Sequence, residues 1–152
     1  MKVVQSIILF LAIILFIGLV YISFFNVYQT DDFIFAYSTH QLGLFRNIFD
    51  FYFNWGGRYF GYSLNMLTPL PYDKVGILPK VYPVLLITSF IGVLTLNFRY
   101  FFRYSFLKSL QKSFLFFFFY TILLVSLPEH YFWITGSNIY FYQLLLVDCF
   151  CI

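Results

Sequence analysis

Charge is what this sequence lacks most. Only 10% of its 152 residues are Asp, Glu, Lys or Arg, against about 25% in an ordinary soluble domain. So few charges cannot cover a water-facing surface, which excludes a soluble monomeric domain. Disorder is excluded as well, because disordered chains are rich in charge and poor in apolar residues, and this one is 62% hydrophobic. Cysteine is scarce: Cys149 and Cys151 are the only two, both at the extreme C-terminus. With no second ligand pair and an apolar setting, they read as buried thiols, not metal ligands. The ending Cys149-Phe150-Cys151-Ile152 loosely matches a prenylation box, but that box needs an exposed, soluble tail. Some catalytic motifs are missing too. Without a His-Glu-x-x-His motif, a Gly-x-Ser-x-Gly elbow or a phosphate loop, zinc proteolysis, α/β-hydrolase chemistry and ATP hydrolysis are disfavoured. The net charge of +3 forms no basic face with interleaved stacking positions, so no nucleic-acid partner is expected.

Aromatic and aliphatic residues fill the space that charge leaves. There are 24 Phe and 14 Tyr. The expected fold class is all-α: a polytopic helical membrane protein with about three to four transmembrane helices. Interfacial amphipathic helices are expected in its first outer loop. No charged residue falls between Lys2 and Asp31. Residues 3–25 would reach about 35 Å as a helix, enough to cross a ~30 Å hydrocarbon core. A signal peptide has a shorter apolar core and then small residues. Here Tyr21, Phe24, Phe25 and Tyr28 stand in that place, which favours an uncleaved helix. Further spans are read at 81–98, with Pro83 in its first turn, and at 113–127, closed by Pro128. A fourth runs from 139 to 152. Its 14 residues reach only about 21 Å and would leave Asp148 and the terminal carboxylate in hydrocarbon. The single membrane domain 1–152 is therefore expected to be truncated at its C-terminus.

Orientation follows from the loops. Residues 99–112 carry Arg99, Arg103, Lys108 and Lys112 and no acid. By the positive-inside rule this loop and the N-terminus are cytoplasmic, in the plasma (inner) membrane. Loops 26–80 and 128–138 then face outward. That brings Asp31, Asp32 and Glu129 to one membrane face, although about a hundred residues separate them.

Three outer features carry possible chemistry. Adjacent carboxylates at Asp31-Asp32 suit a base that deprotonates a hydroxyl, or oxygen ligands for a divalent cation such as Mg or Mn. They also suit a solvated membrane end. Residues 45–65 place Phe45, Ile48, Phe49, Tyr52, Phe53 and Trp55 largely at helical spacing, with Arg46, Asn47, Asp50 and Asn54 on much of the other side. This reads as an amphipathic interfacial helix, broken by Gly56-Gly57. Arg58 follows the break, where a planar guanidinium can grip a phosphate. In 128–142, Glu129 and His130 leave a span and Gly136-Ser137-Asn138 turns into the next. A lone Glu-His pair is more often capping than catalysis.

Together, Thr30-Asp31-Asp32-Phe33, Gly57-Arg58-Tyr59 and the run Glu129 through Trp133-Ile134-Thr135-Gly136-Ser137-Asn138 to Tyr140 resemble a known family. They look like the N-terminal part of the C-type glycosyltransferase superfamily, in a poorly characterised bacterial branch of those multi-pass proteins. The resemblance implies transfer of a sugar from a polyprenyl-phosphate donor to an envelope glycan, lipid or protein acceptor on the outer face. Asp31 or Asp32 would be the catalytic base or metal ligand. Arg58 would contact donor phosphate, and Glu129 and Asn138 would line the site. The implied partners are the bilayer, a lipid-linked sugar, and a C-terminal companion chain or other envelope-assembly proteins. Superfamily members have about eight or more spans, twice what this chain offers. The competing expectation is a small non-catalytic multi-pass subunit of envelope polysaccharide assembly or export, or an inactive remnant.

Overall fold

The structure is a computed structural model that describes residues 2–56, 59–67 and 76–138. Arg58, the fourth span at 139–152, and with it Asp148, Cys149 and Cys151, lie outside the described residues. All regular structure among the described residues is helical. Three helices are long and apolar enough to span a membrane: α1 (Lys2–Ser23), α5 (Leu78–Phe102) and α6 (Phe106–Leu123). Between α1 and α5 lie the shorter α2 (Thr30–Leu42), α3 (Leu44–Phe51) and α4 (Tyr59–Met66). Two π-helical turns follow α3 and α6, at Tyr52–Gly56 and Pro128–Phe132.

The long helices run up, down and up. Phe16 of α1 meets Phe114 and Phe117 of α6 edge-on, at 5.8 and 6.4 Å between ring centroids. Leu19, Leu86, Ile87, Phe90, Ile91, Leu94, Phe117 and Tyr131 form the core they share. In the most apolar window of α1 only 11% of the residues are buried, against 33% in α5. The aliphatic surface of α1 is therefore turned outward, as a lipid-facing helix requires, while α5 is central. The buried stripe of α6 is Ser109, Ser113, Phe117 and Thr121, spaced one turn apart. Small side chains there let backbones approach closely. Thr95 of α5 donates across to Ser113 at 3.0 Å, so the contact is polar as well as tight. Burial pushes the Tyr131 phenol above its ordinary value.

Helix ends depart from the expected span limits. α5 begins three residues earlier, so Pro83 falls inside it instead of in its first turn. α6 begins at Phe106 instead of 113, because Lys108 and Lys112 are good helix formers and break nothing. The loop expected at 99–112 therefore shrinks to a turn through 103–105, with Arg103 in the left-handed region (φ 51°). At its other end α6 stops at Leu123, short of the expected 127. A proline ring clashes with the carbonyl four residues back. For Pro128 that residue is Leu124, which is extended (ψ 132°).

Candidate functional site

The site is built where α2 and α4 meet the end of α1 and the segment after α6. α1 closes at Ser23, whose hydroxyl donates to the Val20 carbonyl. Asn26 then turns its amide inward and donates to the carbonyls of Pro79 (2.9 Å) and Phe132 (2.7 Å). The reason lies in α5. Pro83 has no N–H, so the Pro79 carbonyl four residues back has no helical donor. Asn26 supplies one. A single side chain thus ties α1, the start of α5 and the Pro128–Phe132 turn together.

α2 opens at Thr30 with Asp32 in its first turn. The Asp32 carboxylate accepts from the Gln29 N–H at 2.9 Å, while the Asp32 N–H donates to the Gln29 carbonyl. Its other oxygen accepts from Thr135 twice, from the hydroxyl at 2.7 Å and the N–H at 3.2 Å. Residues 134–138 are helical, so Asp32 sits at the starts of two helices at once. Negative charge suits both dipole ends. Asp32 is 3% exposed, and Thr135 is equally buried. Asp31 differs. It is half-buried, and no hydrogen bond or ion pair engages its carboxylate among the described residues. On α2, Asp32, Phe35 and Ala36 face inward. Thr30, Phe33, Ile34 and Tyr37 face outward, where with Tyr28 and Gln29 they line an open groove of ≈ 680 Å³. Asp31 lies on the flank between these faces.

One turn past Thr135, Asn138 is buried on the same helical face. It accepts from the Tyr82 hydroxyl at 2.5 Å and donates to the Asn65 side-chain oxygen at 2.7 Å. Asn65, on α4, is 2% exposed, and its own amide nitrogen has no acceptor among the described residues. A buried donor left over beside a polar cluster is a natural contact for an oxygen-rich ligand. Gly136 lies between these residues because nothing larger fits. A Cβ there would stand 2.7 Å from the Trp133 ring and 2.9 Å from the Glu129 carbonyl oxygen.

The structure therefore joins Asp32 and Asn138 through one helical segment, and leaves Asp31 beside them unengaged. Glu129 is exposed and has no polar side-chain partner among the described residues. His130 Nδ1 is 3.0 Å from the Ser126 carbonyl, a local capping contact. Thr135, Asn65 and Tyr82 were not singled out from the sequence. The available signals were an Asn inside the apolar run Leu64-Asn65-Met66-Leu67 and a Tyr in the first turns of a span.

The interfacial helix expected at 45–65 exists as α3, with one reversal. Phe45 and Phe49 are exposed, as rings at a membrane interface are, but Asn47 is fully buried instead of solvated. Its amide donates to Ser38 and Thr39 of α2, each at 2.9 Å.

A cation held by the Asp31-Asp32 pair would need open lone pairs on both carboxylates. Asp32 already accepts from three N–H and O–H donors, two on Oδ1 and one on Oδ2, which leaves about one of its four acceptor positions for a cation. Among the described residues, no three His, Cys, Asp or Glu converge. No protein-family model matches the chain, and neither does any curated protein or solved structure.

Proposed function

We propose that this chain is a membrane glycosyltransferase, or the N-terminal part of one. It moves a sugar from a polyprenyl-phosphate donor to an acceptor hydroxyl on the outer face. One observation carries the reading: two neighbouring carboxylates have opposite fates. Asp32 is consumed as a tie between helices, and Asp31 is held beside it, half-buried and without a hydrogen-bond or ion-pair partner among the described residues. That division supports one distribution of the roles the sequence left open. Asp31 is the base and Asp32 positions it. The acceptor oxygen attacks the anomeric carbon as its proton passes to Asp31. The bond from that carbon to the phosphate oxygen breaks, and the phosphate leaves with the electron pair. Positive charge stabilises that leaving group, and Arg58 is the proposed source. The aromatic groove along α2 suits a lipid-linked sugar, being mostly apolar with a few polar groups at one end. Asn65, Asn138 and Glu129 are proposed lining residues.

The test is transfer from a radiolabelled polyprenyl-phosphate sugar by the reconstituted chain. Loss of a general base costs about 10²–10⁴ in rate. Asp31→Asn is expected to lose that much while unfolding like the parent. Asp32→Asn is expected to unfold more easily. If Asp31→Asn transfers sugar as fast as the parent, the enzyme reading fails. The alternative is a non-catalytic subunit of envelope assembly or export. It draws support from the same network, because Asp32, Asn65 and Asn138 are engaged with the chain itself.

A further inference from the structure

A second polar feature lies at the opposite end of the bundle, away from the carboxylates. Residues near the starts of α1 and α6 line a notch of ≈ 340 Å³ there. Gln5 and Ser6 line it from α1, and Lys108, Gln111 and Lys112 from α6. Leu9 and Leu115 form its deeper wall, towards the contact of Phe16 with Phe114.

Two lysines one turn apart on one helix face repel each other. Nothing nearby in sequence offsets them, since residues 1–30 and 74–128 contain no acid. Lys112 is half-buried. Lys108 is held at the rim, its ammonium 4.1 Å from the Tyr104 ring centroid. The notch thus gathers two ammonium groups and two side-chain amides around a space that no acid lines among the described residues. An anion between the lysines removes their repulsion and accepts from the amides. The apolar floor decides which anion. Leu9 and Leu115 are half-buried and lie within the two candidate membrane spans, so the ligand is amphipathic: a charged head on the lysines and a hydrocarbon tail below. Basic pockets between transmembrane helices take anionic headgroups in this way.

We propose that Lys108 and Lys112, with Gln111, Gln5 and Ser6, bind the phosphate of an anionic phospholipid from the leaflet at the N-terminal end of α1. The site needs neither the carboxylates nor the proposed sugar transfer.

The test uses the full chain in neutral detergent, with thermal unfolding followed by circular dichroism. Phosphatidylglycerol is expected to raise the unfolding temperature in a saturable way, and phosphatidylcholine and inorganic phosphate are not. The double variant K108Q/K112Q is expected to weaken the apparent affinity for phosphatidylglycerol about thirtyfold. K108R/K112R keeps the charge and is expected to keep the response. R99Q/R103Q removes the same charge outside the notch and is expected to leave the affinity nearly unchanged. An equal loss in R99Q/R103Q would mean diffuse attraction and overturn the site. An equal response to inorganic phosphate would mean a small-anion site and overturn the lipid assignment. If K108Q/K112Q loses helix content without lipid, single K112Q against K112R carries the comparison, and equal affinities there also overturn the site.

Discussion

Gly136 sets how closely two pieces of chain can pack beside the candidate site. It lies between the Trp133 ring and the Glu129 carbonyl, where a methyl group has under 3 Å to each. The ring can tilt, but the carbonyl is fixed by the π-helical turn, whose Pro128 oxygen accepts from the Trp133 N–H at 2.7 Å. Gly136→Ala is therefore expected to lower stability by about 1–3 kcal/mol, the usual cost of overpacking. Denaturant or thermal unfolding in detergent measures it. The neighbouring Asp32 acts by a different physics. Asp32→Ala strips an acceptor from the Gln29 N–H and from both Thr135 donors, and a buried donor without a partner costs about 1–3 kcal/mol. Asp31→Ala removes no hydrogen bond or ion pair among the described residues and is expected to stay within about 0.5 kcal/mol of the parent. The sequence brought both acids to notice, but adjacency alone could not separate them. The difference is rotational: successive residues on a helix point about 100° apart. One therefore faces Thr135 and the other the flank.

At the scale of elements, prolines explain the joint at Asn26 and the early end of α6. Pro128 acts four residues back and stops α6 before Leu124. Pro83 acts four residues back and leaves the Pro79 carbonyl for Asn26. Hydropathy finds the interior of a span but is blind to this reach, so the existence of α1, α5 and α6 was legible and their limits were not. Asn26 makes the consequence testable. Asn26→Ala leaves two carbonyls, Pro79 and Phe132, without the amide, and is expected to cost about 1–3 kcal/mol. Asn26→Asp is expected to cost more, because it sets a carboxylate against the same two carbonyl oxygens. The order Asn, then Ala, then Asp in unfolding midpoint checks the staple. A midpoint for Asp equal to that of Asn would show that Asn26 is not donating. The reversal in α3 has a related cause. Asn47 sits among polar residues on a helical wheel, yet its partners Ser38 and Thr39 belong to another helix, which no single-helix pattern contains.

At the scale of the whole molecule, charge and chain path agree. Every acid among the described residues (Asp31, Asp32, Asp50 and Glu129) lies at the end where α1 finishes, and Arg99, Arg103, Lys108 and Lys112 lie at the other. The first group was brought together from the sequence by counting spans alone, which placed residues 26–80 and 128–138 on one side. The contacts between Asp32 and Thr135, 103 residues apart, are the physical form of that juxtaposition. The partners themselves were not legible, because a Thr and an Asn in a turn carry no signal until another helix stands against them. The same asymmetry supports a proposed orientation: translocation disfavours the basic end, which would place the α1 start and the 103–105 turn in the cytoplasm. Cysteine labelling in intact cells tests this, with Cys149 and Cys151 replaced by serine. Gln41→Cys, exposed near the end of α2, is expected to react with a membrane-impermeant maleimide. Ser105→Cys, exposed in the turn before α6, is expected to react only after permeabilisation. The reverse pattern would put Asp31 in the cytoplasm, where a donor presented on the outer face never meets it, and the proposed transfer would fall with the orientation.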